Sequence, residues 1–201
     1  MKRLEISILF AVIFCSVLTF MGFSEKCGQV RDDVFRLHVL ANSDSKEDQS
    51  LKLDVRDKLL EVAQSTFSGV KNRQEAIEAA RLNADTFKAC AEAEIKRQGY
   101  DYPVTVEIGE SDFNTRIYGD ITLPAGTYQA LRVKIGQAEG KNWWCVMFPQ
   151  LCLPAAQDND AMEEMLDTKE FELVTGGQKY EIKFKCVEYY EKLKKLLSEK
   201  S

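Results

Sequence analysis

The sequence predicts an α+β fold: an N-terminal export or membrane segment, then two helices packed on a mainly antiparallel sheet, with a strand and a helix at the C-terminus. Three observations carry that expectation. A basic start and an uncharged apolar run precede the first charged stretch, residues 46–98 repeat their apolar positions at helical spacing, and residues 103–148 alternate with the period of strands. The 201 residues and 45% apolar content suit one packed domain over residues 25–201, with residues 1–24 appended to it.

Lys2 and Arg3 precede the uncharged run Ile6 to Phe23, which is the order of a secretory signal. The run is also just long enough to cross a bilayer, so residues 1–24 read either as a cleaved signal peptide or as a retained anchor. Gly22 and Ser24 put small residues where a signal peptidase reads them, for cleavage before Glu25. Either reading places the body outside the cytoplasm.

Phe35, Leu37 and Val39 alternate with Arg36 and His38, predicting a strand with one buried face. Asn42 to Ser45 end it in a polar turn, and Ser45 is placed to cap a helix by accepting from the Asp48 amide. Leu51, Val55, Leu59 and Val62 predict that helix over 46–65, with Asp48 and Lys52, then Asp54 and Lys58, pairing on its solvent side. After a break containing Gly69, Asn72 caps a second, long helix. Its stripe runs through Ile77, Ala80, Ala84, Phe87, Ala91 and Ile95 to a stop at Gly99, with Cys90 beside it as part of the core.

Val104 to Ile108, Phe113 to Tyr118 and Thr127 to Ile135 read as three successive strands. Gln137 to Lys141 is a polar turn, and Trp143 to Phe148 is the strand returning from it. That strand is apolar on both faces, which suits a central strand or a surface awaiting a partner. Asp158 to Asp160 start a short helix with Met162, Met165 and Leu166 on its stripe, and Tyr180 to Cys186 alternates as a strand. Glu188 to Lys200 reads as a terminal helix with Tyr189, Leu193, Leu196 and Leu197 as its apolar side and a cationic end in solvent.

The net charge of −5, with both signs mixed throughout, offers no basic stripe for nucleic acid. Of the six cysteines, Cys15 lies in the apolar run and an odd number remains in the body. Cys145 and Cys152 bracket a turn at Pro149; they are either a disulfide or two buried small apolar groups. One histidine and no Cys-x-x-Cys argue against a zinc site, and neither a cofactor nor a small-molecule substrate is expected. No Gly-x-Ser-x-Gly, His-Glu-x-x-His or phosphate-cradling glycine loop is present. The enzymatic arrangement the residues allow is an exported hydrolase or thiol enzyme with His38 as base, Asp44 as its orienter and Cys145 as nucleophile. An oxidised Cys145 removes it.

Two blocks carry a family resemblance. Phe35 to Ser45 (Phe-Arg-Leu-His-Val-Leu-Ala-Asn-Ser-Asp-Ser), followed by Glu47-Asp-Gln49, Leu51-Lys-Leu53 and Val55-Arg-Asp57, resembles the opening signature of the stage II sporulation protein R family of endospore-forming bacteria. Tyr118-Gly119, Leu123 to Arg132, Ile135-Gly136, Gly140 to Pro149 and Leu151-Cys152 resemble that family's second half, with Gln150 and Leu153 as small departures. The resemblance covers residues 1 to 155 and, more loosely, the tail. It implies an exported sporulation signal, passed from the forespore into the space between the two membranes around it. There it would activate a membrane-embedded aspartic protease from its extracytoplasmic face, leading to processing of the sigma factor E precursor. The residues expected to contact that protease are Arg36, His38, Asn42, Ser43 and Asp44 from the first block, and Trp143 and Trp144 from the second. An envelope interaction domain without a signalling role is the remaining alternative.

Overall fold

The computed structural model of the chain describes residues 2–118, 121–149 and 166–198. Its elements are, in order, α1 (Lys2–Asp33), β1 (Phe35–Leu40), α2 (Lys46–Thr66), α3 (Arg73–Leu82), α4 (Ala84–Arg97), β2 (Val104–Phe113), β3 (Arg116–Tyr118), β4 (Ile121–Leu123), β5 (Gly126–Ile135), β6 (Asn142–Phe148), α5 (Thr168–Thr175) and α6 (Gly177–Ser198). The α+β expectation holds. The chain divides into two compact units, one of Asp33–Asp112 with Thr127–Met165, the other of Met1–Asp32, Phe113–Gly126 and Leu166–Ser201.

The first unit is built on a four-stranded sheet of order β2-β5-β1-β6. β1 runs parallel to β5, from Phe35 opposite Gln129 to Leu40 opposite Lys134, and antiparallel to β6, from Arg36 opposite Val146 to Leu40 opposite Asn142. Glu107 reaches Arg132, Asp112 reaches Thr127, and Pro103 accepts from the Gly136 amide, so β2 and β5 run in opposite directions. Helices α2 to α4 cover one face. Phe35, Leu37 and Val39 of β1, Leu131, Val133 and Ile135 of β5, and Cys145 and Met147 of β6 join Leu51, Val55, Leu59, Ile77, Ala80, Phe87, Ala91 and Ile95 in its core. Phe67 stands edge-on to Phe35 and Phe148 at 6.3 and 6.5 Å between centroids, geometry worth about 1 kcal/mol per pair beyond the area buried.

Several sequence expectations change here. β1 was expected to bury one face, yet as a central strand it buries both: Arg36, on the face away from the helices, is fully buried. Its guanidinium lies 4.9 Å over the Tyr128 ring, and its Nε donates to the Cys145 carbonyl at 3.5 Å. The long helix over 72–98 is instead two, α3 and α4, broken at Asn83. There the Asn83 side chain donates to the Ala79 carbonyl at 2.8 Å and shares that acceptor with its own backbone amide at 3.1 Å. Cys90 is half-buried rather than core, with its thiol on the Lys58 carbonyl. Phe113 to Tyr118 does not add a further strand to the main sheet; among the described residues β3 pairs only with β4. Among the described residues β6 is an edge strand, not a central one.

In the second unit α1 is one continuous helix through the expected cleavage point. Leu4 to Asp33 is long and apolar enough to cross a membrane, and Leu4 to Met21 are largely exposed. Beyond them Phe23, Cys27 and Val30 are buried, as are Ile121 and Leu123 of β4, Leu173 and Val174 of α5, and Phe184 and Val187 of α6. Arg31 donates to the Ala125 carbonyl at 3.0 Å and pairs with Glu191 at 3.4 Å. Tyr180 to Cys186, expected as a strand, is helical. Its inward positions are Phe184 and Val187, one helical turn apart, while Ile182 and Cys186 face solvent, so the alternation Tyr-Ile-Phe-Cys does not mark a buried strand face. The short helix expected from Asp158 with Met162 and Met165 lies outside the described residues, and Leu166, which follows it, is buried.

Candidate functional site

β5 and β6 flank β1 and are joined by residues 136–141, so this connection has to cross over the C-terminal end of β1. That end is Ala41-Asn42-Ser43-Asp44, the polar turn of the first signature block. The crossover is tied down by the turn's backbone and side chains together. The Gly140 amide donates to the Ala41 carbonyl at 3.0 Å, the Glu139 amide to the Asn42 carbonyl at 3.2 Å, the Gln137 amide to Asn42 Oδ1 at 3.0 Å, and the Lys141 amide to Asp44 Oδ1 at 2.6 Å.

The same turn is fastened to α2. Ser45 caps that helix as expected, its hydroxyl accepting from the Asp48 amide at 3.1 Å. Asp48 does not reciprocate the cap, since the Ser45 amide donates to the Ser43 hydroxyl at 3.2 Å; its Oδ2 instead accepts from Asn42 Nδ2 at 2.9 Å and from the Ser43 hydroxyl at 2.5 Å. Burial pushes the Asp48 carboxyl upward, but the donors Ser43, Asn42, Tyr102 and Ser45 outweigh it and hold its pKa below the ordinary carboxylate value. Gln49 Nε2 donates to the Ser43 carbonyl at 2.9 Å. Lys52 Nζ bridges Gln49 Oε1 at 2.6 Å and the Lys141 carbonyl at 3.0 Å. Asp48 and Lys52 are each only 4% exposed, which corrects their assignment to a solvent-side ion pair. Lys58, expected to pair with Asp54, bonds Glu61 instead.

Two glycines let the crossover lie this close. A Cβ on Gly140 would stand 2.1 Å from the Ser43 carbonyl oxygen, an obstacle of backbone that no rotamer relieves. At Gly136 φ is +58°, and a Cβ would meet Asn42 Oδ1 at 2.2 Å. Residues from both signature blocks thus form a single hydrogen-bonded knot. Asn42 uses its carbonyl oxygen toward Gln137 and its amide nitrogen toward Asp48, a division of roles that only a carboxamide performs.

The other singled-out residues are spread over two faces of the sheet. His38 lies on the face away from the helices, opposite Arg132 and Trp144 in register, and its ring stacks on Trp144 at 5.8 Å and 28°. Glu107 pairs there with both Arg132 and Lys134, at 2.8 Å to Lys134. Burial lowers the His38 pKa below its usual value of 6.5; a hydrogen bond to Asn142 opposes this, and the charges of Arg132, Arg36 and Lys134 add to the lowering. Trp143 points to the helix-covered face, where Arg56 lies 4.4 Å over its ring. The two tryptophans therefore do not make one patch.

The structure corrects the thiol-enzyme arrangement. Cys145 lies opposite Leu37 on the helix-covered face, away from His38, and its sulfur is in a disulfide, so it has no thiolate to attack with. Cys152, expected as its partner, lies outside the described residues. Asp44 is engaged by the Lys141 amide. From sequence alone the roles of Asp48, Lys52, Gly136 and Gly140 were missed. The only hint was the short polar spacing from Asn42 to Asp48; the crossover residues that Asn42, Asp44 and Lys52 meet lie some ninety residues away.

A family model described as stage II sporulation protein R matches residues 31–158, the stretch that holds both blocks of the knot. The stage II sporulation protein R of Bacillus subtilis (strain 168) is 33% identical over 138 residues, covering 69% of this chain and 62% of that protein, so the match spans less than two thirds of the relative's own length. No solved structure matches the chain. With its two signature blocks brought together by one crossover and matched over 31–158, the chain belongs to the stage II sporulation protein R family.

Proposed function

We propose that this chain is an exported signalling protein of sporulation, which activates a membrane-embedded aspartic protease from its extracytoplasmic face and so leads to processing of the sigma factor E precursor. Family membership over both signature blocks carries the reading. The long apolar α1 supports delivery across or into a membrane, from the forespore into the intermembrane space. Activation of this kind requires the chain to bind the competent state of the protease better than the resting one.

Within that reading the signature residues divide by role. Arg36 is buried, and Asn42 and Ser43 spend their side-chain polar atoms on the knot, so these three act by positioning, whereas Asp44 gives Oδ1 to the Lys141 amide and stays exposed. Contact with the protease falls to exposed Asp44 and to the partly exposed His38, Trp143 and Trp144 that this framework holds. The test is co-expression of the chain with the protease and the sigma factor precursor in a host that does not sporulate. Processing that depends on the chain is expected, and weaker processing with Trp144→Ala at equal protein level. Precursor cleavage independent of the chain, or none with a folded and exported chain, refutes the reading and leaves an envelope interaction domain.

A further inference from the structure

The C-terminal helix α6 carries two apolar faces, and the second unit uses one of them. Phe184 and Val187 are buried, and the Phe23 ring of α1 packs on Phe184 at 5.3 Å and on Tyr180 at 5.7 Å. On the other side Ile182, Tyr189, Leu193, Leu196 and Leu197 are 80, 71, 56, 58 and 63% exposed, with exposed Cys186 among them. At about 3.6 residues per turn these positions form one continuous stripe, nearly opposite Phe184 and Val187. Lys183, whose ammonium lies over the Phe23 and Tyr180 rings, and Lys194 border the stripe on one side, and Lys185 and Lys192, which share Glu188, border it on the other. An exposed apolar stripe flanked by lysines, whose stems lie along apolar surface while their heads reach water, is the pattern of a helix lying in a bilayer interface.

Contacts between the two helices identify the occupant of that stripe. Tyr190 meets Phe20 of α1 edge-on at 5.7 Å, and Tyr180 and Phe184 meet Phe23. Phe20 and Phe23 close the uncharged run of α1, where a spanning helix leaves the hydrocarbon, and the residues they meet include Tyr180 and Tyr190, the type of side chain that collects at that depth. α6 therefore crosses α1 at headgroup depth. We propose that α6 lies in the membrane interface beside α1, with its exposed stripe among lipid chains and its flanking lysines against anionic headgroups. This rests on the insertion of α1 in a membrane. Two attachments then hold this unit at the surface from which a membrane-embedded protease presents its extracytoplasmic portion.

The test uses the full-length chain in nanodiscs of phosphatidylcholine and phosphatidylglycerol, with p-benzoylphenylalanine in place of Leu193 or of Leu82, a control position on α3 that is 87% exposed. Carbonate extraction of membranes reads α1 insertion separately. The expected result is retention in the membrane, with lipid adducts at position 193 and none at position 82. Those adducts are lost with Leu196→Glu and Leu197→Glu combined and reduced in phosphatidylcholine alone. Retention with no lipid adduct at position 193, or with adducts only to a second copy or another protein, overturns the proposal while leaving α1 as an anchor. Release of the chain by carbonate overturns both.

Discussion

Replacing Asp48 by alanine should cost this protein about 3 kcal/mol, because two donors lose a charged acceptor inside the knot. Asn42 Nδ2 and the Ser43 hydroxyl both end on Asp48 Oδ2, at 2.9 and 2.5 Å, and the residue is only 4% exposed. A hydrogen bond to a charged group contributes about 1.5 to 3 kcal/mol, and a buried donor left without its acceptor adds a desolvation cost, so the lower bound for two bonds is already about 3 kcal/mol. Against a domain stability of about 5–15 kcal/mol this is a large share. Trp143 and Trp144, both on β6 beside the crossover, report the unfolding of this unit by fluorescence in urea. With a slope of about 2 kcal/mol per molar, the midpoint should fall by about 1.5 M. Asn42→Ala should fall in the same direction, and the double variant should lose less than the sum, with a coupling of about 1–2 kcal/mol. The acid limb supplies a second reading. Since the folded-state pKa of Asp48 is lowered, its contribution is present above the ordinary carboxylate value of 3.8 and is lost as pH falls through the lower folded value. Asp48→Ala should flatten that part of the pH profile. A midpoint change below about 0.5 kcal/mol in stability, or strictly additive variants, would refute the coupling of turn, helix and crossover.

The remaining predictions concern the crossover, the histidine and the helix through the membrane. Gly140→Ala should destabilise by about 3 kcal/mol through overpacking against the Ser43 carbonyl, whereas Gly109→Ala, with nothing within 4 Å of its added Cβ, should change little; equal urea midpoints for the two would contradict the close approach. The single histidine should titrate below 6.5 by NMR, and stability should fall as pH drops from 6.5 to that lower value, because the unfolded chain takes up the proton first. A normal or raised titration of His38 would show that its ring is not desolvated beside Trp144. Phe23 is 6% exposed and its ring contacts Phe184 and Tyr180, so a chain cut before Glu25 would leave α6 without that packing. Intact mass of the membrane-extracted protein should show α1 retained, and a product beginning at Glu25 as the dominant species would overturn this. Phe23→Ala should lower the stability of that unit by about 3 kcal/mol, measured by proteolytic susceptibility at α6.

The sequence by itself determined what short-range chemistry controls. Ser45 and Asn72 cap the helices they were expected to cap, α2 covers the span its apolar spacing indicates, and β1, β5 and β6 lie where the alternation places them. Caps, periodicity and a basic start before an apolar run act within a few residues, so they can be read without knowing the fold. The resemblance of the two blocks likewise needed only residue order. What tertiary structure alone decided is how distant segments meet. Alternation at Tyr180 to Cys186 gave way to a helix that buries Phe184 and Val187 while leaving Ile182 outside, and a single asparagine at position 83 divided what periodicity presents as one helix. The place of β1 between β5 and β6 cannot be read from β1's own residues, because strand order depends on pairings with segments about a hundred positions away. That placement forces the 136–141 connection over the end of β1. It thereby makes the polar turn Asn42, Ser43 and Asp44 the fastening between two halves of the sheet.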